Sequence, residues 1–250
     1  MIKLKSGEEI AVMKEGGARL KKVVSELIPK IKVGVTTDFI DKEAERLIIK
    51  NGGSSSFKKV QGYHWSTCLP INEQVVHTPP AERTLKNGDV LTVDIGMYFK
   101  GYHTDYSDTF VVGKTENKDT LKFLETGRTA LRKAIEQAKA GKRLGDISET
   151  IEKEITRNGY AITKELTGHG IGKDLHEDPF IPGYLDMPKD KTYMLRPGLV
   201  IAIEVIYAMG TGKIAYEKGI DWSIVSADGS LTACFEHTVA ITKKNTLILT

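Results

Sequence analysis

A chain of 250 residues with 40% hydrophobic and 28% charged side chains is long enough to bury roughly three quarters of its unfolded surface, and too charged for a membrane protein. Its 36 basic and 33 acidic residues leave a formal net charge of +3, a balance too even to point to nucleic acid. Two cysteines, Cys68 and Cys234, exclude a disulfide scaffold and fit a reducing compartment.

Met1 to Glu9 carries no apolar stretch of the kind a secretory signal needs. The most apolar run, Leu199 to Met209, is half a membrane span and contains Glu204. A soluble, cytoplasmic protein is expected. Ser6 with Glu9 three residues on is a capping-box start, followed at helical spacing by Ile10, Met13, Leu20, Val23, Val24, Leu27 and Ile31. A second helix follows the cap run Thr36-Thr37-Asp38, turns Phe39, Ile40, Ala44, Leu47 and Ile48 inward, and stops at Asn51-Gly52. Residues 53–80 are irregular, and 90–112 are strand-like. Two further helices are expected, over about 118–140 (ended by Gly141) and over 146–158, with Asp146 and Glu149 as the capping pair of the latter. From Ala161 onward the chain reads as loops and strands, with apolar runs at 199–207 and 231–241.

A shift of 107 residues superimposes Gly34 on Gly141, Ile40 on Ile147, Glu45 on Glu152, Ile48 on Ile155 and Asn51-Gly52 on Asn158-Gly159. Any two capped amphipathic helices look somewhat alike. Read as a duplication, the match predicts two α/β halves about a pseudo-two-fold axis, with a site between them.

Four stretches carry chemistry. A hairpin centred between Phe99 and Lys100 sets Asp94 directly opposite Asp105, on one face, with Cβ atoms about 5 Å apart. A buried carboxylate pair must share a proton or bind a cation; two solvated aspartates near a turn are the alternative, as for Asp108 on the other face. His169 stands between Gly168 and Gly170, whose backbone can approach closely, and His176 follows seven residues later. Glu204 interrupts a run that reads as a strand buried on both faces, so it needs a partner: a cation, or an Arg or Lys. Alternation along 231–241 puts Leu231, Phe235, Val239 and Ile241 on one face, and Thr232, Cys234, Glu236 and Thr238 on the other. Two Asp, two Glu and a His exceed what one ion needs, and suit two hard or borderline divalent metals bridged by carboxylates.

The order and spacing of these residues resemble the methionine aminopeptidases, the type I branch of the pita-bread metallopeptidases. The resemblance spans nearly the whole chain. It rests on the interval of eleven between Asp94 and Asp105, on the stretch from His169 through His176-Glu177 to Pro179, and on the ending Phe235-Glu236-His237-Thr238. It implies an α/β (α+β) pita-bread fold: a single catalytic domain over 1–250, with halves roughly 1–113 and 114–250 and a central antiparallel sheet covered by helices. Asp94, Asp105, His169, Glu204 and Glu236 match the family's metal ligands, Asp105 and Glu236 as bridges. His77 and His176 match its substrate-orienting histidines and, with Glu204 as proton acceptor, its catalytic residues. Tyr63, Cys68, Leu175 and Trp222 fall at positions lining the methionine pocket.

The implied function is hydrolytic removal of the N-terminal methionine of nascent proteins and peptides by a dinuclear metal-activated water. Mn, Fe, Co and Zn all accept such a shell. The expected partners are nascent chains and, transiently, the ribosome, with no nucleic acid and no membrane, the protein acting as a monomer in the cytoplasm. Val205 stands where the family usually has Pro, a change expected to relax the strand locally while leaving the ligand. Leu175 replaces a more usual aromatic. Only 32 positions separate Glu204 from Glu236, too few for the inserted helical subdomain of type II relatives, and no extension is expected before the catalytic domain. The rivals are an Xaa-Pro aminopeptidase or prolidase, which usually carries an additional N-terminal domain, and a non-catalytic binding protein on the same fold, expected to have lost ligands. Cys68 as a nucleophile with His77 is a weak third, since nothing around it marks an activated thiolate.

Overall fold

The computed structural model describes residues 1–250, and its first helix, α1 (Gly7–Leu27), starts where the capping signal sits. Ser6 Oγ accepts from Glu9 N and Glu9 accepts from Ser6 N, satisfying two N–H groups the helix leaves unpaired. Helix α2 (Thr37–Lys50) is capped by the Thr36 hydroxyl and ends at Asn51. Its buried stripe is Ile40, Ala44, Leu47 and Ile48, while Phe39 is exposed. Phe39 belongs to the row of Glu43 and Arg46, one residue off the apolar face.

Helix α3 (Lys118–Gln137) stops short of Gly141. Helix α4 (Leu144–Arg157) begins before Asp146, with Arg143 at the N-cap position and its N–H donated to Asp146 Oδ2 at 2.9 Å. Glu149 is no cap; it pairs with Lys153 and Lys189. Helices α2 and α4 are both 14 residues long, and their bounds differ by the same 107 positions as the sequence match.

Strands β1 (Ser54–Ser55), β2 (Thr67–Cys68) and β3 (Gln74–Val76) are short, and β4 (Val90–Phe99) and β5 (Tyr102–Val111) form a hairpin. After α4 come β6 (Ala161–Ile162), β7 (Thr167–Gly170), β8 (Glu177–Pro182) and β9 (Val200–Ala208). The hairpin β10 (Ile214–Tyr216) and β11 (Ile224–Ser226) precedes β12 (Thr232–Ile241) and β13 (Thr246–Ile248). The main sheet runs β1-β4-β5-β12-β9-β7-β8, all pairs antiparallel; β10, β11 and β3 form a second, small sheet. No helix interrupts the segment between β9 and β12.

Strand alternation sorts the side chains. Leu91, Val93, Ile95 and Met97 of β4 pack with α1 and α2, whereas Ile201, Ile203 and Val205 of β9, with Phe235, Val239 and Ile241 of β12, pack with α3 and α4. The helices cover one face of the sheet, so the intervening residues are turned to the other. Val205 is fully buried opposite Phe235 and the β9 register runs without a break. The expected relaxation at this position is absent because Val keeps the N–H that Pro lacks.

The turn that carries Leu175 and His176 is pinned from beneath. Lys5 Nζ lies 2.7 Å from Glu177 Oε2, with both side chains almost wholly buried, and Glu177 Oε1 accepts from Lys173 N at 2.9 Å and Asp174 N at 3.3 Å. Lys5→Met strands that carboxylate and is expected to cost about 3–5 kcal/mol in urea unfolding. Adding Glu177→Gln, which keeps an oxygen for the two backbone donors, should recover much of it. A loss for Lys5→Met below about 1 kcal/mol, the range of a solvent-screened pair, contradicts a buried role.

Candidate metal centre and adjoining pocket

The hairpin register decides how the acidic residues meet. Lys100 and Gly101 both have positive φ, 47° and 92°, the mark of a two-residue type I′ turn, so Phe99 pairs with Tyr102. Asp94 therefore stands opposite Ser107, and Asp105 opposite Gly96. The two aspartates share a face, as expected, but they are diagonal neighbours rather than a directly opposed pair. Asp108 lies on the reverse face, paired with Arg128.

The same register produces a row across four strands: Asp94 on β4, Ser107 on β5, Glu236 on β12 and Glu204 on β9. Asp105 flanks this row from β5. Its N–H donates to Thr238 Oγ1 at 2.8 Å, and that hydroxyl donates back to Asp105 O at 2.9 Å, fixing it to β12. His169 flanks it from β7, opposite Ala202. A Cβ on Gly168 would lie 2.5 Å from Ala202 O, and one on Gly170 2.2 Å from Asp178 O. Only glycine permits the close approach that brings this histidine in.

Four carboxylates converge with no Lys or Arg lining their cavity. Burial raises the pKa of Asp94, Asp105, Glu204 and Glu236 above the ordinary carboxylate range, and repulsion among neighbours adds to it for Asp94, Glu204 and Glu236. His169 Nε2 lies 3.4 Å from Glu204 Oε1, where the alternative reading places an Arg or Lys. His169 Nδ1 donates to Gly170 O at 2.9 Å, so Nε2 carries the free lone pair that a metal takes. Burial, then His176, lowers the His169 pKa to about 3, keeping the ring neutral. Glu236 Oε1 is buried with no hydrogen-bond partner. Asp105, His169 and Glu236 each offer one ligand atom, all within 4.8 Å of one another. Repelling carboxylates, an orphaned oxygen and a neutral imidazole are a donor set lacking positive charge, and a divalent cation fits it.

One cavity joins this cluster to an apolar pocket. Beside the five residues it is lined by Tyr63, Cys68, His77, Leu175, His176 and Trp222, all singled out in the sequence, and by Phe57, Val60, Val76 and Cys234. Phe57 and Val60 fall in the stretch 53–80, where no periodicity marks which way a residue points. Tyr63 meets Trp222 edge-on at 5.4 Å between ring centroids and Trp65 at 5.3 Å. His77 and His176 are exposed at the mouth, the latter with its ring 4.5 Å from that of His169. Cys68 Sγ lies 3.1 Å from the Tyr63 hydroxyl. Burial, then Asp94, pushes its thiol pKa up, the opposite of an activated nucleophile.

The chain matches the model of metallopeptidase family M24 over residues 11–243. Methionine aminopeptidase 1 of Bacillus subtilis is 40% identical over 252 residues, covering 100% of this chain and 99% of that protein. The crystal structure of methionine aminopeptidase from Thermotoga maritima superposes with a TM-score of 0.94 at 34% identity, covering 100% and 99% of the two chains. Prolidase from Pyrococcus furiosus, at 23% identity and TM-score 0.79, shares the fold alone, and the match covers 98% of this chain but 64% of that one. With full-length matches on both sides, a helix-covered antiparallel sheet and a carboxylate–histidine cluster on its open face, the chain belongs to metallopeptidase family M24, in its pita-bread methionine aminopeptidase branch.

Proposed function

We propose that this protein is a type I methionine aminopeptidase that removes the N-terminal methionine from nascent proteins and peptides. The observation that carries the reading is the single cavity in which the carboxylate–histidine cluster adjoins an apolar slot walled by Tyr63, Cys68, Leu175 and Trp222. Asp94, Asp105, His169, Glu204 and Glu236 would hold two divalent cations, with Asp105 and Glu236 the residues that would serve both; Mn, Fe, Co and Zn suit the shell. Such ions supply Lewis acidity toward a carbonyl and make water acidic near neutral pH.

The chain's own residues do the rest. The slot receives the methionine side chain, whose unbranched, polarizable thioether threads between an aromatic wall and the Cys68 sulfur. His77 and His176 hydrogen-bond the peptide and stabilise charge developing on the carbonyl oxygen. Glu204 accepts the proton of the attacking water. The two helix pairs and their strands act as halves, roughly 1–113 and 114–250, of one catalytic domain. No helix is long and apolar enough to cross a membrane. A cytoplasmic monomer that meets nascent chains at the ribosome fits this reading.

The test is specificity. A β-branched side chain needs width near Cα that a narrow slot lacks, and one methylene-sized misfit is worth roughly 10–200-fold. Metal-loaded enzyme should cleave Met-Ala peptides better than Val-Ala or Pro-Ala peptides by the upper part of that range, and Met-Ala better than Met-Phe. Preference for Xaa-Pro substrates, or indifference to the first side chain, sinks the methionine reading and favours the prolidase-like rival.

A further inference from the structure

Two residues of the pocket hold backbone conformations that side chains rarely adopt: His77 at φ 58° and Trp222 at φ 78°. Such conformations persist only where the surroundings over-determine them. Here the next residue of each supplies the restraint, because Thr78 Oγ1 and Ser223 Oγ are 2.8 Å apart and buried. Ser223 Oγ donates its proton to Glu217 Oε2 at 2.6 Å, so the shared bond must be donated by Thr78. The same carboxylate oxygen accepts from Gln74 Nε2 at 2.7 Å, and Gln74 Oε1 accepts from Ile71 N at 3.0 Å. Glu217 N also donates to Ser223 O at 2.9 Å. One carboxylate thus closes a chain of polar contacts from Ile71 through Gln74 and Ser223 to Thr78, bracketing both strained residues.

Little else holds the end of the hairpin that carries Trp222. Tyr216, Ile220 and Trp222 are exposed, and β10 pairs only with β11. At the base of the hairpin Ile214 and Ile224 pack with Val75 and Val76, and β11 pairs with β3, so it is the exposed end, from Tyr216 to Trp222, that depends on directional polar bonds. We infer that Glu217 is a positioning and specificity-determining residue, which holds Trp222 against Tyr63 and His77 at the mouth through the Gln74–Glu217–Ser223–Thr78 network. The inference rests on the aminopeptidase reading for what the two positioned residues do, and on the geometry alone for the tether.

The test separates the two. In a Trp65→Phe background Trp222 is the sole tryptophan, and acrylamide quenching of metal-free protein reports its packing without any catalysis. Glu217→Ala should raise the quenching constant at least twofold. In metal-loaded enzyme it should lower kcat/KM for a Met-Ala peptide about tenfold or more, the scale of one lost charge-assisted hydrogen bond, and narrow the preference for Met over Val. Glu217→Gln, which keeps an acceptor oxygen, should stay within about threefold of wild type. Ser223→Ala should reproduce the Ala phenotype, and it supplies the same readings if Glu217→Ala fails to fold. Unchanged quenching in either Ala variant, unchanged Met-over-Val preference, or a Gln variant as impaired as Ala overturns the proposal. A wild-type enzyme that ignores Met-Ala while quenching still responds to Glu217→Ala overturns the aminopeptidase reading and leaves the tether standing.

Discussion

Asp105→Asn is expected to abolish peptidase activity, by about three orders of magnitude or more, while the metal-free protein keeps or gains stability. An amide keeps the shape of the carboxylate but not the charge, and cations shared as proposed would account for several kcal/mol of transition-state stabilisation. The backbone anchors of Asp105, to Thr238 Oγ1 and from that hydroxyl back to Asp105 O, do not involve the substituted group. Removing one member of a set of mutually repelling buried carboxylates relieves repulsion on Asp94, Glu204 and Glu236. Thermal unfolding in the presence of chelator should give an equal or higher Tm for the variant. Activity within tenfold of wild type at saturating metal removes Asp105 from the bridging role.

His176→Ala is expected to lower kcat about 10²–10³-fold, the usual cost of one transition-state hydrogen-bond donor, with metal content unchanged. The geometry separates His176 from the ligand set. It stands exposed at the mouth, edge-on to His169, whereas the five proposed ligands are all buried or half-buried. The measurement is kcat alongside metal stoichiometry on the same preparation. One ion lost with the imidazole reassigns His176 as a ligand.

Most of what builds the site is local enough to read in the chain. Glu204 stands out because one carboxylate in a run of apolar residues has no inexpensive fate, and the glycines around His169 advertise a close backbone approach. Alternation placed Glu236 and Cys234 on the cavity face of β12, where they lie, because a two-residue period survives any uncertainty in register. Register itself is where the reading failed. Two positive-φ residues at Lys100 and Gly101 shift the hairpin so that Asp94 meets Ser107, a difference that composition does not encode. Phe39 was misplaced because a bulky apolar residue beside a helical stripe looks like part of it, although its row is that of Glu43 and Arg46. Arg143 was overlooked as the N-cap position because its side chain makes no capping bond there; Asp146 does the bonding from three residues on.

Glu217 and its partners were invisible for a different reason. Gln74 lies 143 positions from Glu217 and Thr78 lies 145 from Ser223, in segments with no periodic pattern. Only the three-dimensional pairing of β11 with β3 brings them together.

Anomalous diffraction from crystals of the protein equilibrated with Mn²⁺ tests the central claim most directly. The account predicts two peaks in the cavity, both within coordinating distance of Asp105 and Glu236, one reached by His169 and Glu204 and the other by Asp94. A single peak, or peaks that leave Asp105 and Glu236 uncoordinated, contradicts the dinuclear centre on which the proposed chemistry depends.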